Sequence, residues 1–210
     1  RPKQQIAIRG GGNGEDLVTH IAYDAYGRQD KEYLPYPVTD NIGTFVDIQT
    51  DGIHTFYKNK FPDDFPTLSG SDANAYSQKD FEDSPLNRVL KQAAPGEDWK
   101  LGNGHEIEFD YQTNAIGEVR LFEVIFNNGN TDDRLLAFST GNNGFYAENQ
   151  LYKTLARDEN HDGTNSKAHT TEEFKDKNGR VVLKRTYGAS DINEDGDTSD
   201  SGESNATHDT

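Results

Sequence analysis

The 210-residue chain carries 37 acidic against 21 basic residues, a net charge of −16, and neither cysteine nor methionine. That balance excludes nucleic acid as a partner, because a phosphate backbone would be repelled and no basic stripe is present. The missing cysteines exclude disulfides, thiolate metal sites and a cysteine nucleophile. Hydrophobic residues make up only 31%, against roughly 45–50% in a typical globular chain. The 11 Phe, 10 Tyr and single Trp compensate, since large rings suit strand surfaces. A thin, aromatic-rich β core is expected.

Residues 4–9 alternate, with Ile6 and Ile8 on one face, and predict a strand. The glycine run 10–14 would suit a phosphate cradle only if a helix began directly after it. Residues 17–23 predict a strand instead, so the run reads as a hairpin loop. Tyr23-Asp24-Ala25-Tyr26-Gly27-Arg28 then places Asp24 and Gly27 first and fourth in a type I turn, where Asp caps and Gly takes positive φ. With residues 29–36 leading out, this predicts a β-hairpin with a short bulged loop. Residues 38–50 follow neither period. Ile53, Phe56, Tyr57 and Lys60 fall at helical spacing over 53–61, with Asp51 placed to cap and Pro62 to stop the helix.

Residues 61–75 form a loop rich in Pro, Asp, Ser and Gly. Strands are predicted at 76–82 and 89–92, with Ala94-Pro95-Gly96 as a turn. Trp99 is expected to fold down as a plug on the core. Residues 106–111 alternate Glu106, Glu108 and Asp110 with Ile107, Phe109 and Tyr111, the mark of a half-solvated strand. Residues 118–126 are more apolar on both faces and predict a central strand. After turns at 127–133 and 141–144 come a strand at 151–157 and a last hairpin. There 169–174 leads into Asp176-Lys177-Asn178-Gly179-Arg180, and 181–187 leads out. Asp176 and Gly179 thus repeat the spacing of Asp24 and Gly27. About ten strands and one helix give a mainly β chain of antiparallel hairpins.

Tyr-Asp-x-x-Gly-Arg at 23–28 resembles the YD repeat of bacterial RHS proteins. In order, YDAYGRQDKEYLPY (23–36), SPLNRVLKQAAPG (84–96) and TEEFKDKNGRVVLKR (171–185) resemble the uncharacterised domain near the start of RHS-repeat-associated proteins. The resemblance covers most of residues 1–188. At the second turn Lys175, not Tyr, precedes Asp176, a degenerate copy. The resemblance implies a fold of YD-repeat type, part of a β-strand shell that in some members encloses a C-terminal toxin or effector. It implies a secreted or cell-surface bacterial protein with a structural role and no enzymatic one. The implied partners are other repeats of the same parent chain, an enclosed C-terminal domain and secretion machinery, without membrane insertion. It brings no catalytic residue. The chain starts at Arg1 and is expected to be a fragment or processed product; Arg1-Pro2 would be the severed end of another Gly-Arg turn. Residues 1–188 are expected to form one domain, and 189–210 an acidic insertion.

Two loops suit calcium, which takes six to eight hard oxygens. Asp191, Asn193, Asp195 and Asp197, with Asp200 or Glu203 beyond, form the stronger candidate. Asp158, Asn160 and Asp162 form the weaker one, with Glu172 or Glu173 to close the shell. Neither loop has the Glu at position twelve of an EF-hand. The alternative is that Asp, Asn and Gly simply make turns there. Calcium is the only cofactor the sequence suggests. The six histidines never stand at the helical spacing of a zinc protease, and no Gly-x-Ser-x-Gly elbow is present. Strand alternation accounts for the Glu106–Glu108 pair. A second function class is a surface binding or adhesion module, contacting glycan or a partner protein through Trp99 and exposed tyrosines.

Overall fold

Short alternating stretches between closely spaced turn residues should form antiparallel strands, and they do. A computed structural model of the chain describes residues 1–39, 42–47, 52–65, 74–129, 131–161, 163 and 167–188, with the backbone of 207–209. The fold is mainly β, with antiparallel sheets and one α-helix among the described residues, as the sequence predicts. It falls into two compact units, residues 1–108 with 158–162, and 109–157 with 163–210.

In the first unit β1 (Gln4–Ala7) pairs with β2 (Asp16–His20), which pairs in turn with β4 (Tyr36–Val38). β3 (Lys31–Tyr33) leaves that sheet and pairs with β5 (Tyr76–Phe81), followed by β6 (Val89–Ala93) and the first two residues of β7 (Ile107–Thr113). The predicted return strand 29–36 is therefore two strands in two sheets. The arms of the expected hairpin are joined at the Ile21–Glu32 bridge and again, beyond Pro35, where Val18 of β2 pairs with Tyr36 of β4. The break falls at Leu34-Pro35. Proline has no N–H to give a ladder, the Leu34 N–H goes to the Ala75 carbonyl at 2.9 Å, and the Tyr57 hydroxyl donates to the Pro35 carbonyl at 2.5 Å.

Helix α1 spans Ile53–Lys60 and buries Ile53 and Tyr57. Its N-terminus is capped by the Gly52 backbone, at φ 79°, without a side-chain hydrogen bond; Asp51 lies outside the described residues. The core here is Val18, Tyr36, Ile53, Tyr57, Phe65 and Ala75. Rings dominate it, as the composition requires: Tyr57 packs edge-on to Phe56 at 5.2 Å and to Phe65 at 5.8 Å.

In the second unit the sheet order is β7, β10 (Tyr152–Arg157), β11 (Thr170–Lys175), β12 (Val181–Tyr187) and β13 (Thr207–Asp209). A separate two-stranded sheet pairs β8 (Phe122–Phe126) with β9 (Arg134–Phe138). β11 buries alternate residues, Thr170, Glu172 and Phe174. Phe174 meets Val119 and Leu151 in a small core. The buried Asn114 clasps this unit. Its Oδ1 accepts the Gln150 and Leu151 N–H groups at 3.0 and 2.8 Å, and its amide donates to Ala147 at 2.9 Å. The predicted central strand 118–126 is shorter and differently placed: Val119 is buried, whereas every residue of β8 is exposed.

Candidate functional site

The two Asp-x-x-Gly-Arg turns have one geometry, bond for bond. In the first, Asp24 Oδ1 accepts the N–H groups of Tyr26 and Arg28 at 2.9 and 2.8 Å, and Oδ2 accepts Arg28 Nε at 2.7 Å. In the second, Asp176 Oδ1 accepts those of Asn178 and Arg180, each at 2.9 Å, and Oδ2 accepts Arg180 Nε at 2.7 Å. The backbone repeats too. The Asp N–H reaches the Arg carbonyl at 2.8 and 2.9 Å, and the Gly N–H reaches the Asp carbonyl at 2.9 Å in both. Gly27 has φ 80° and Gly179 φ 79°, where a side chain is strained. Each carboxylate therefore holds two backbone donors and a guanidinium. For Asp24 burial pushes the pKa up, but the Arg28 bonds and charge outweigh it and hold the carboxyl below its ordinary value. For Asp176 the Arg180 N–H leads the lowering.

Arg28 does more than close its own turn. Its Nη1 donates to the Glu82 carbonyl at 3.3 Å and to Asn87 Oδ1 at 3.2 Å, and its guanidinium lies 4.7 Å from the Phe81 ring centroid and 5.0 Å from that of Tyr26. These contacts anchor the turn on the β5–β6 connection, and the chain that follows it pairs with β5. In that connection the Glu82 carboxylate receives Arg88 Nε, Nη2 and N–H at 2.7–3.1 Å. The Arg88 bonds lead in bringing its pKa down to about 2.

Trp99 is not the buried plug that its hydrophobicity predicts; it is 40% exposed. The loop around it is fixed by polar bonds instead. Glu106 turns inward, is buried, and accepts the N–H groups of Gly102 and Gly104, the latter at 3.0 Å. Burial raises the Glu106 pKa, yet these backbone donors outweigh it and the net shift is down. Asn103 donates to the Glu97 carbonyl at 2.6 Å. With its backbone so held, the indole tilts against His105, centroids 5.2 Å apart. Together they line a hollow of about 250 Å³ with Pro95, Ile107, Gln92 and Glu159. A second hollow, of about 480 Å³, is lined by Lys3, His20, Tyr23 and Asp47 among others.

In the weaker calcium candidate, Asp158 Oδ1 caps its own turn by accepting the Asn160 N–H at 2.9 Å. Asp162 lies outside the described residues, as do Asp191, Asn193, Asp195, Asp197, Asp200 and Glu203. The acids expected to close the shell are engaged elsewhere. Glu172 is buried and meets Lys153 at 2.9 Å and the Tyr187 hydroxyl at 3.0 Å, while Glu173 pairs with Lys175 at 2.5 Å. Burial raises the Glu172 pKa, but Lys153 outweighs it and the net shift is down. Among the described residues no cluster of three or more His, Asp or Glu is arranged to hold a metal ion, and no helix is long and apolar enough to cross a membrane.

The fold is a mainly β, antiparallel one, with two turns locked by Asp–Arg pairs. The chain belongs to the family described as Domain of unknown function (DUF6443), whose model matches residues 1–113. The first turn lies inside the matched span and the second outside it. No curated protein and no solved structure matches the chain.

Proposed function

We propose that this chain is a non-enzymatic structural segment of an exported RHS/YD-repeat protein, part of a β-strand shell that encloses a C-terminal toxin or effector. The carrying observation is the bond-for-bond repetition of the Asp-x-x-Gly-Arg turn at 24–28 and 176–180. A turn that satisfies its own donors and fixes one φ above zero sets the local geometry from which hairpin register starts, a device suited to a repeated strand array. The proposed partners are neighbouring repeats of the parent chain, the enclosed domain and the secretion machinery. The test is made in cells that produce the chain. Its peptides should be released by protease from intact cells or found in the medium, and the gene should encode further Asp-x-x-Gly-Arg segments at hairpin spacing. Peptides confined to the cytosol, or a gene without such segments, would sink the proposal.

Calcium is the proposed cofactor, at Asp191, Asn193, Asp195, Asp197 and Asp200. Calcium at about 100 times its dissociation constant would add roughly 2.7 kcal/mol. The chelated chain should therefore melt several degrees below the calcium-loaded one, a difference that Asp195→Ala removes.

One observation favours a second reading, a surface binding module. Trp99, half out of its loop beside His105, offers a ring over a mostly apolar hollow that Gln92 and Glu159 also line, an arrangement suited to the apolar face of a sugar. Trp99 is the only tryptophan, so its emission reports directly on that hollow. Titration with a panel of glycans should shift it for the binding sugar. A silent panel counts against glycan binding.

A further inference from the structure

We infer that the β8–β9 hairpin is the interface of a two-fold dimer of this chain. Its strands pair Phe122 with Phe138, Val124 with Leu136 and Phe126 with Arg134. Directly opposed residues share a face, so one face presents five large apolar side chains and a single charge at one corner. None of the five is covered: Leu136 is 71% exposed, Val124 61%, Phe138 58%, and Phe122 and Phe126 about half. Covered strands of the same unit bury alternate residues, as β11 does. The hairpin pairs with no other strand among the described residues, and an isolated two-stranded hairpin is marginal in water. Its base is nonetheless fixed. The Leu121 N–H reaches Gly144 and the Ser139 N–H reaches Leu121, each at 2.9 Å, and the Arg120 guanidinium lies 3.9 Å from the Phe145 ring centroid.

Area and pattern select a second copy as the occupant. From these exposures the face presents roughly 500 Å² of apolar surface, at the upper end for a monomer. Two such faces together remove about 1,000 Å² from water, the threshold for a specific interface. The face is also self-complementary. A two-fold axis laid across the strands between two faces sets Val124 on Val124, Leu136 on Leu136 and Phe122 against Phe126. It sets Arg134 against Phe138, a cation on a ring. An anionic membrane would be repelled by the charge of −16. Two copies repel as well, but that repulsion is screened by salt while apolar burial is not, so the dimer tightens as salt is added.

Sedimentation velocity of the 210-residue chain from about 1 to about 200 µM brackets a weak dimer. The mass should rise from monomer to dimer across that range, and at lower concentration in about 0.5 M NaCl. Leu136→Glu should stay monomeric throughout. Ile125→Glu, on the opposite face of the same hairpin, should dimerise like the unaltered chain, which separates a specific face from general stickiness; circular dichroism confirms that both variants are folded. An unaltered chain that stays monomeric overturns the inference, as does a Leu136→Glu variant that still dimerises. Loss of the dimer in Ile125→Glu to the same degree also overturns it.

Discussion

The turns at 24–28 and 176–180 share every local hydrogen bond and differ in what their arginines reach. The Arg180 side chain is 76% exposed and closes Asp176; that of Arg28 is 22% exposed and, besides Asp24, holds Glu82, Asn87 and the Phe81 ring. The consequence is topological. Beyond Arg180 the chain runs back along its partner, with β11 and β12 paired from Thr170–Tyr187 to Lys175–Val181 across one bulge next to the turn. Beyond Arg28 the returning arm divides, its β3 part pairing with β5 and its β4 part with β2. One local device thus makes a hairpin where its arginine is solvated and a branch point between sheets where that arginine is bound elsewhere.

The shared part is tested by the glycines, where the largest effect is expected. Gly27→Val and Gly179→Val both force a β-branched residue to φ near 80°, costing about 1–2 kcal/mol each, or more for the branching. At Gly27 the new Cβ also meets the Arg1 guanidinium, a flexible group that can swing aside. Thermal midpoints should fall by several degrees in both variants and by similar amounts. A variant at either site that melts like the parent would show that its turn does not require the left-handed conformation.

The differing part is tested by the arginines. Arg28→Ala removes bonds to a neighbouring connection and stacking on two rings, and should cost about 1–2 kcal/mol. Arg180→Ala removes an exposed pair and should stay within about 0.5 kcal/mol. Arg28→Lys should recover only part of the loss, because an ammonium cannot reproduce the fork that spans Asp24 and Asn87. Urea midpoints of the three variants decide the matter; equal losses at 28 and 180 would erase the distinction drawn between the turns.

Local chemistry explains what could be read from the chain. The partners of Asp24 and Asp176 lie two and four residues on, and the α1 pattern is carried by residues three and four apart, so spacing alone carries both. Everything decided by a distant partner was hidden. The strand predicted through 29–36 divides because Ala75 and Tyr57 bind its Leu34-Pro35 step. Glu106 looked like the wet side of an alternating strand but is buried, since the glycine amides at 102 and 104 satisfy it. Glu172, a candidate shell acid for calcium, lies beneath Lys153 and Tyr187. β8, apolar on both faces, had the composition of a central strand and is an exposed one. Composition reports the wish for burial and says nothing of which surface grants it.

The smallest expected effect separates the two turns by acid. Both aspartates titrate below their ordinary value in the folded chain, so each stabilises above about pH 3.9 and loses that contribution as pH falls below it. The connection held by Arg28 contains a further acid, Glu82, whose folded pKa is about 2 against an unfolded value near 4.3. Its contribution is complete above about pH 4.3 and disappears between there and about pH 2. Glu82→Gln should therefore remove part of the stability above pH 4.3 and make the melting midpoint less steep in pH across that window, while Asp176→Asn should leave the Glu82 component untouched. Amide exchange localises the effect: on acidification, protection at 82–88 should fall last in the parent chain and should lose its pH dependence in Glu82→Gln. Profiles of midpoint against pH that coincide for the parent and Glu82→Gln would mean that the Glu82 carboxylate adds nothing to stability despite its bonds to Arg88, and the branch at Arg28 would then rest on its aromatic stacking and carbonyl bonds alone.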